Sequence, residues 1–293
     1  MSRWWFPPVA VGRVAALRLV VYGFIPLDVL WWDRWVRERV AVPGDWYRPL
    51  AVGRLLHLPV PTAGLVQALE LGLLLGAALA LTGRAPQLFG AAVFVLYGEW
   101  MVVAMSYGKV DHDRFALLVA LAVLPTVGRG RLGDPRPDEA AGWAVRCVQV
   151  AVVATYFLAS MAKIRFGGWG WVNGETLVWA VTRRGTVLGR PLLHATWLLH
   201  LTQWGIVAME LGSPLLFVLR RQARVAYLSL LVAFHLVTFA SISILFLPHV
   251  ICLLAFAPLE RLRRPRPSAR RPSGVRTAQW TRVLDVRARA AQR

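Results

Sequence analysis

The sequence predicts an all-α protein, a polytopic membrane helical bundle with about eight crossings. Three observations lead there. Hydrophobic residues make up 57% of the 293 positions and the mean hydropathy is +0.52, more than the roughly half apolar content that fills an ordinary soluble core. The apolar residues arrive in blocks long enough to cross about 30 Å of hydrocarbon, which takes about 20 helical residues. Those blocks also lack the period-two alternation of a membrane β-barrel.

The first block runs from about Val9 to Trp32, carries Arg18 and Asp28, and ends on the interfacial aromatics Trp31 and Trp32. It passes directly into membrane length without a small-residue cleavage site, so it reads as a first membrane helix and not as a removed signal peptide. A loop rich in arginine, proline and tryptophan follows to about Pro61. The second helix is expected over Thr62 to Thr82 and the third over Gln87 to Tyr107, and the polar Gly108–Arg114 stretch leads into a fourth that stops near Pro125. The Gly- and Pro-rich stretch from Gly128 to Gly142 cannot continue a helix. A fifth helix spans about Trp143 to Ile164, and Glu175 to Val181 suits a short interfacial helix. The sixth covers about Ala195 to Leu219. The apolar run from Val225 to Pro258 is too long for one crossing and divides near Phe246 to His249, beside Pro248.

The net charge of +19 comes largely from the final segment and from loops, where membrane insertion and anionic headgroups favour cations. Residues 1–258 form the membrane domain and residues 259–293 read as a basic, disordered cytoplasmic tail. Membrane lipid is the expected partner; nucleic acid is excluded, because neither a basic recognition helix nor a stacking platform is present. The tail decides an otherwise balanced loop charge, so both termini are expected on the cytoplasmic side of a cell membrane. Cys147 and Cys252 lie in apolar helices and read as buried thiols.

Ionisable side chains at membrane depth are costly and face a bundle interior or a cavity. Arg18, Glu70, Glu99 and Glu210 fall near the middle of predicted helices. They read either as an intramembrane polar network, Arg18 pairing with the glutamates to fix packing, or as an ion pathway. A second group follows from helix parity. Odd-numbered helices end on one side, which gathers Asp111-His112-Asp113, Lys163 and His249 on a single face. Of 34 basic residues only Lys109 and Lys163 are lysine, and both lie there. Lysine, unlike arginine, can lose its proton at an apolar boundary and act as a base or nucleophile; the plain alternative is a snorkelling cation. His112 suits acid–base work, substrate hydrogen bonding or a helix-capping loop, and no spaced ligand cluster for a metal accompanies it. His235 reads as a satisfied interior histidine. Nucleotide loops, nucleophile elbows and zinc-protease helices are absent from the sequence.

The segments ALRLVVYGFIPLDVLWW, VDHDRFALL, YFLASMAKIRFGGWGWVNGETL and AFHLVTFASISILFLPHVICLLAF resemble, in the same order, those of the HTTM (horizontally transferred transmembrane) family, which is similar to the membrane part of vitamin K-dependent gamma-carboxylase. The resemblance covers about residues 10 to 258. It implies that Lys163, closing the segment that Tyr156 opens, is a base acting on a quinone or hydroquinone cofactor. His112 would be its electrostatic partner, and His235 matches the family's Phe-His-Leu segment; with Asp111 and His249 from the parity group and Tyr156 from the lysine segment, it is expected to bind substrate or cofactor. The carboxylase has paired lysines where this chain has Ala162-Lys163, and its large lumenal domain has no counterpart here. Other family members imply a small exported peptide as substrate. The expected function is therefore enzyme-like, with carboxylase- or epoxidase-like chemistry implied by the resemblance alone. The rivals are a transporter or channel using the intramembrane Arg and Glu residues, and a non-catalytic membrane assembly or maturation factor.

Overall fold

The computed structural model describes residues 2–263. Of the expected basic tail only the first turn, Leu259–Arg263, is among them; the rest lies outside the described residues. In that turn Glu260 accepts two hydrogen bonds from Arg13, at 2.8 and 3.1 Å.

Helix α1 (Val11–Leu27) buries Val14, Leu17, Val21, Tyr22 and Ile25. Pro26 has no N–H to give, and two residues later the helix switches to π bonding over Asp28–Trp32, closed by Asp33 N donating to Asp28 O. Part of the segment expected as loop is ordered into 3₁₀ turns (Arg34–Ala41, Gly44–Trp46) and a short helix, Ala51–Leu55. The Arg39 guanidinium stacks at 4.8 and 4.7 Å on Trp35 and Tyr107, which anchors this stretch to the bundle.

Helices α2 (Ala63–Leu81) and α3 (Pro86–Met105) form an antiparallel hairpin. Thr62 caps α2 by accepting from Leu65 N, and Pro86 occupies the first turn of α3, where no N–H is needed. A side chain at Gly76 would crowd Val93, its Cβ only 3.1 Å from a methyl, the close approach that small residues allow between membrane helices. Helix α4 (Phe115–Val123) is short, tightening into a 3₁₀ turn at Leu124–Thr126 around Pro125.

The all-helical expectation needs one small amendment. Val9–Ala10 (β1) pairs antiparallel with Pro137–Asp138 (β2), tying the start of α1 to the start of α5 (Glu139–Ala162). Asp138 then caps α5, accepting from Ala141 N at 2.7 Å. Helix α5 continues through a π turn at Lys163–Gly167 into Gly168–Asn173. The expected interfacial helix is α6 (Thr176–Arg184). Helix α7 (Thr196–Leu211) ends in a 3₁₀ turn at Ser213–Phe217, and α8 (Arg221–Ile242) ends at Ser243 in the left-handed region, φ 56°. Helix α9 (Leu247–Cys252) starts with Pro248 in its first turn and runs on as a 3₁₀ turn to Phe256.

The core lies between α1, α3, α4 and α5, with Tyr22, Tyr97, Trp100 and Leu121 fully buried. Helix α8 is peripheral and exposes Val225, Leu236 and Val237, an apolar surface suited to lipid. Among the described residues, five helical stretches are long and apolar enough to cross a membrane: Val11–Trp32, Ala63–Leu81, Pro86–Met105, Glu139–Asn173 and Arg221–Ile242. Helices α4, α7 and α9 are shorter than a full crossing, so length and composition give five spans where the sequence predicts about eight.

Candidate functional site

Arg18, Glu70, Glu99 and Glu210 do not form one network. Arg18, 6% exposed, donates to the carbonyls of Leu124 (2.6 Å), Gly128 (2.9 Å) and Val127. These carbonyls end the α4 segment and carry the negative end of its dipole, so they stabilise the guanidinium without a carboxylate. Glu70 pairs instead with Arg37 of the loop, and Glu210 with Lys163. Glu99 is half-buried near Tyr47 and joins none of them.

A buried cluster that the sequence reading missed sits at the other end of α4. Arg114, also 6% exposed, bonds Asp28 through its Nη1, gives a 3.0 Å bond to Tyr97 Oη, and reaches Asp33 Oδ1 at 2.9 Å through Nη2. Tyr97 Oη donates to Asp28 Oδ2 at 2.6 Å, and Asp113 lies 3.8 Å from Arg114 Nε. Three carboxyl groups thus surround one cation. Burial pushes Asp33 up to about 7 against the pull of Arg114, with the charges of Asp28, Asp111 and Asp113 adding to the rise. Burial likewise raises Asp113, again opposed by Arg114. The signal was present in the sequence: an acid inside the first apolar block and an arginine closing the Asp-His-Asp stretch, both on the odd-helix face.

Beside this cluster opens a cleft of about 320 Å³, lined among others by Trp32, Asp33, Trp35, Asp111 and Phe246. Asp111 is engaged by Lys109 at 2.6 Å. Phe246 forms the inner wall. Its ring centroid is 6.3 Å from that of the exposed His112 and 5.3 Å from that of the buried His235.

Behind Phe246 the structure brings together three more of the predicted residues. Tyr156 Oη and His235 Nε2 are 2.6 Å apart, and the His249 ring meets Tyr156 edge-on at 4.5 Å. His235 and His249 stand 5.9 Å apart, and each is no more than 5% exposed. Neither ring nitrogen of His249, nor His235 Nδ1, has a hydrogen-bond partner among the described residues. Buried polar atoms of this kind are uncommon and costly.

Lys163 reaches the same depth from α5. Ser160 Oγ donates to Val207 O and Ser213 Oγ to Val153 O, at 3.2 and 3.1 Å, which fixes the antiparallel register of α5 and α7. Glu210, midway between those contacts, lies level with Tyr156. Lys163 points back along α5, as helical side chains do, and gives Glu210 Oε1 and Oε2 bonds of 2.9 and 2.6 Å. It therefore turns inward, away from the helix end a snorkelling lysine would seek. Held this way, Lys163 directs its ammonium group to the Glu210 carboxylate. Neither a hydrogen bond nor an ion pair joins it to His112 among the described residues.

Buried Gln203 was also missed. It donates to the carbonyls of Trp171, Val172 and Gly174 and accepts from Leu177 N, so it closes the turn after the Lys163 π segment. Both π turns, at Asp28–Trp32 and Lys163–Gly167, begin on a buried or half-buried ionisable residue; such turns are frequent at functional sites. No protein-family model, curated protein or solved structure matches the chain.

Proposed function

We propose that the chain is a multi-pass integral membrane protein that performs acid–base chemistry on a lipophilic substrate bearing an acidic hydroxyl, of the hydroquinone type. The site opens on the extracytoplasmic side, at the face where α1, α3, α5 and α8 end. One observation carries the reading: His249, buried against the hydrogen-bonded Tyr156–His235 pair, has both ring nitrogens free of any partner among the described residues. A substrate hydroxyl entering past Phe246 would give one of those nitrogens the partner that buried polar groups demand. The imidazole accepts the proton beside the Tyr156–His235 pair, and the Lys163 ammonium of the inward Lys163–Glu210 pair stabilises the oxyanion that forms. His112, at the mouth, orients the entering group.

The likeness of the four motifs to the horizontally transferred transmembrane family supports the same class of substrate. It assigns the base to Lys163, whereas the geometry favours the histidines as base and Lys163 as charge stabiliser. The ion-pathway reading has less support, since Arg18 is spent on helix-end carbonyls and Glu70 on a loop arginine.

The test is binding of a short-chain quinol analogue to purified protein, followed by quenching of Trp32 and Trp35 fluorescence at the cleft. Saturable quenching by the wild type, weakened at least about tenfold by His249→Phe and retained by Arg37→Ala, is the expected result. Equal quenching of wild type and His249→Phe would remove the site from the account.

A further inference from the structure

The opposite end of the bundle carries a second polar cavity, of about 200 Å³, where the starts of α1, α5 and α8 meet the 3₁₀ turn after α7. Three arginines line it: Arg13, Arg146 and Arg224. Glu260 neutralises Arg13 through the bidentate pair described above. Arg146 and Arg224 have no carboxylate partner among the described residues, and both line this one cavity.

Both guanidiniums are nonetheless fixed. Arg146 Nε donates to Trp4 O at 3.2 Å and NH1 to Gln149 Oε1 at 3.0 Å, while Gln149 is itself held by a 2.9 Å bond to Ala255 O. The Arg146 guanidinium also stacks at 4.6 Å on Trp4 and 5.5 Å on Phe217. Arg224 NH2 donates to Leu219 O at 3.0 Å, and its buried Nε has no partner among the described residues. Two like charges, half-buried and held at one cavity, are stabilised by an anion between them. The free N–H groups of planar, pre-positioned guanidiniums match the oxygens of phosphate in a fork geometry.

We propose that this cavity binds a phosphate group between Arg146 and Arg224. The volume suits a headgroup phosphate and is below that of a drug-sized ligand site. Trp4, Trp5 and Phe6, each at least 40% exposed beside the cavity, provide an apolar, aromatic surface of the kind that sits at headgroup depth. The phosphate therefore belongs to an anionic phospholipid, and the rim aromatics lie against its acyl chains.

Native mass spectrometry of the full chain, delipidated and then supplied with phosphatidylglycerol or phosphatidylcholine, tests this. The wild type is expected to retain one phosphatidylglycerol at least about tenfold more tightly than Arg146→Gln/Arg224→Gln, and to prefer it over phosphatidylcholine. A stabilising shift with inorganic phosphate but without lipid selectivity would keep the phosphate site and replace the lipid by a soluble source. Should the double variant fail to fold, the wild-type lipid preference still decides, together with Arg224→Lys, which keeps the charge but loses the fork and is expected to weaken retention. Equal retention of both lipids by the wild type and no effect of inorganic phosphate would overturn the proposal, as would unchanged retention in the folded variants.

Discussion

The two ends of α4 hold arginines of equal burial and opposite circumstance. At the C-terminal end Arg18 is held by three backbone carbonyls, with the helix dipole in its favour. At the N-terminal end Arg114 works against that dipole and is held by Asp28, Asp33 and Tyr97, with Asp113 close by. The first arrangement is a helix cap in which the guanidinium meets carbonyl dipoles and no carboxylate, its Nε having no partner among the described residues. The second carries more acid than base, and buried charge excess is what a proton-handling or ligand-binding region displays. The cleft opens beside the second.

Removing the cation where carboxylates depend on it should have the largest effect. Arg114→Met leaves Asp28 and Asp33 buried without their partner and is expected to destabilise the fold by about 3–5 kcal/mol, measured by denaturant unfolding in mild detergent. Arg18→Met leaves only carbonyls unsatisfied, so a loss of about 1–3 kcal/mol is expected. If the two losses were equal, the distinction between the ends would disappear.

The acid surplus can also be read through pH. Asp33 holds its proton to about 7 in the folded chain and releases it in the ordinary carboxylate range when unfolded. The folded state thus binds more protons between those limits. The stability from this group is greatest at the acid end and is lost as pH rises through about 7. The thermal midpoint is expected to fall over that rise, and Asp33→Asn should flatten the fall. The smallest change is Arg37→Ala: the ion pair with Glu70 is half-exposed on its arginine side, so about 0–1 kcal/mol is expected.

Much of the fold was legible because its boundaries are written in hydropathy, proline and capping residues. Thr62 caps α2, Pro86 opens α3, and the division of the last apolar run falls where Ser243 and Pro248 interrupt it. What was not legible is azimuth. Helix α1 is apolar around its circumference, so the sequence gives the depth of Arg18 and not the face it presents. Hence the glutamates looked like partners and the carbonyls of Leu124 and Val127 did not. Asp28 was hidden for the same reason, as was the inward turn of Lys163, which depends on the register of α5 against α7. Helix parity needs only depth; in the structure Asp111 lines the cleft, His112 lies against Phe246, and His249 packs beside Tyr156 and His235.

The central claim is that the unpartnered histidine nitrogens behind Phe246 receive a lipophilic hydroxyl. Its most direct test is native mass spectrometry with lipid extraction on gently purified wild type and His249→Phe. The account predicts a quinone-class molecule retained by the wild type and lost from a variant of unchanged thermal midpoint. Retention of the same molecule by both proteins, or of bulk phospholipid alone by the wild type, would contradict it.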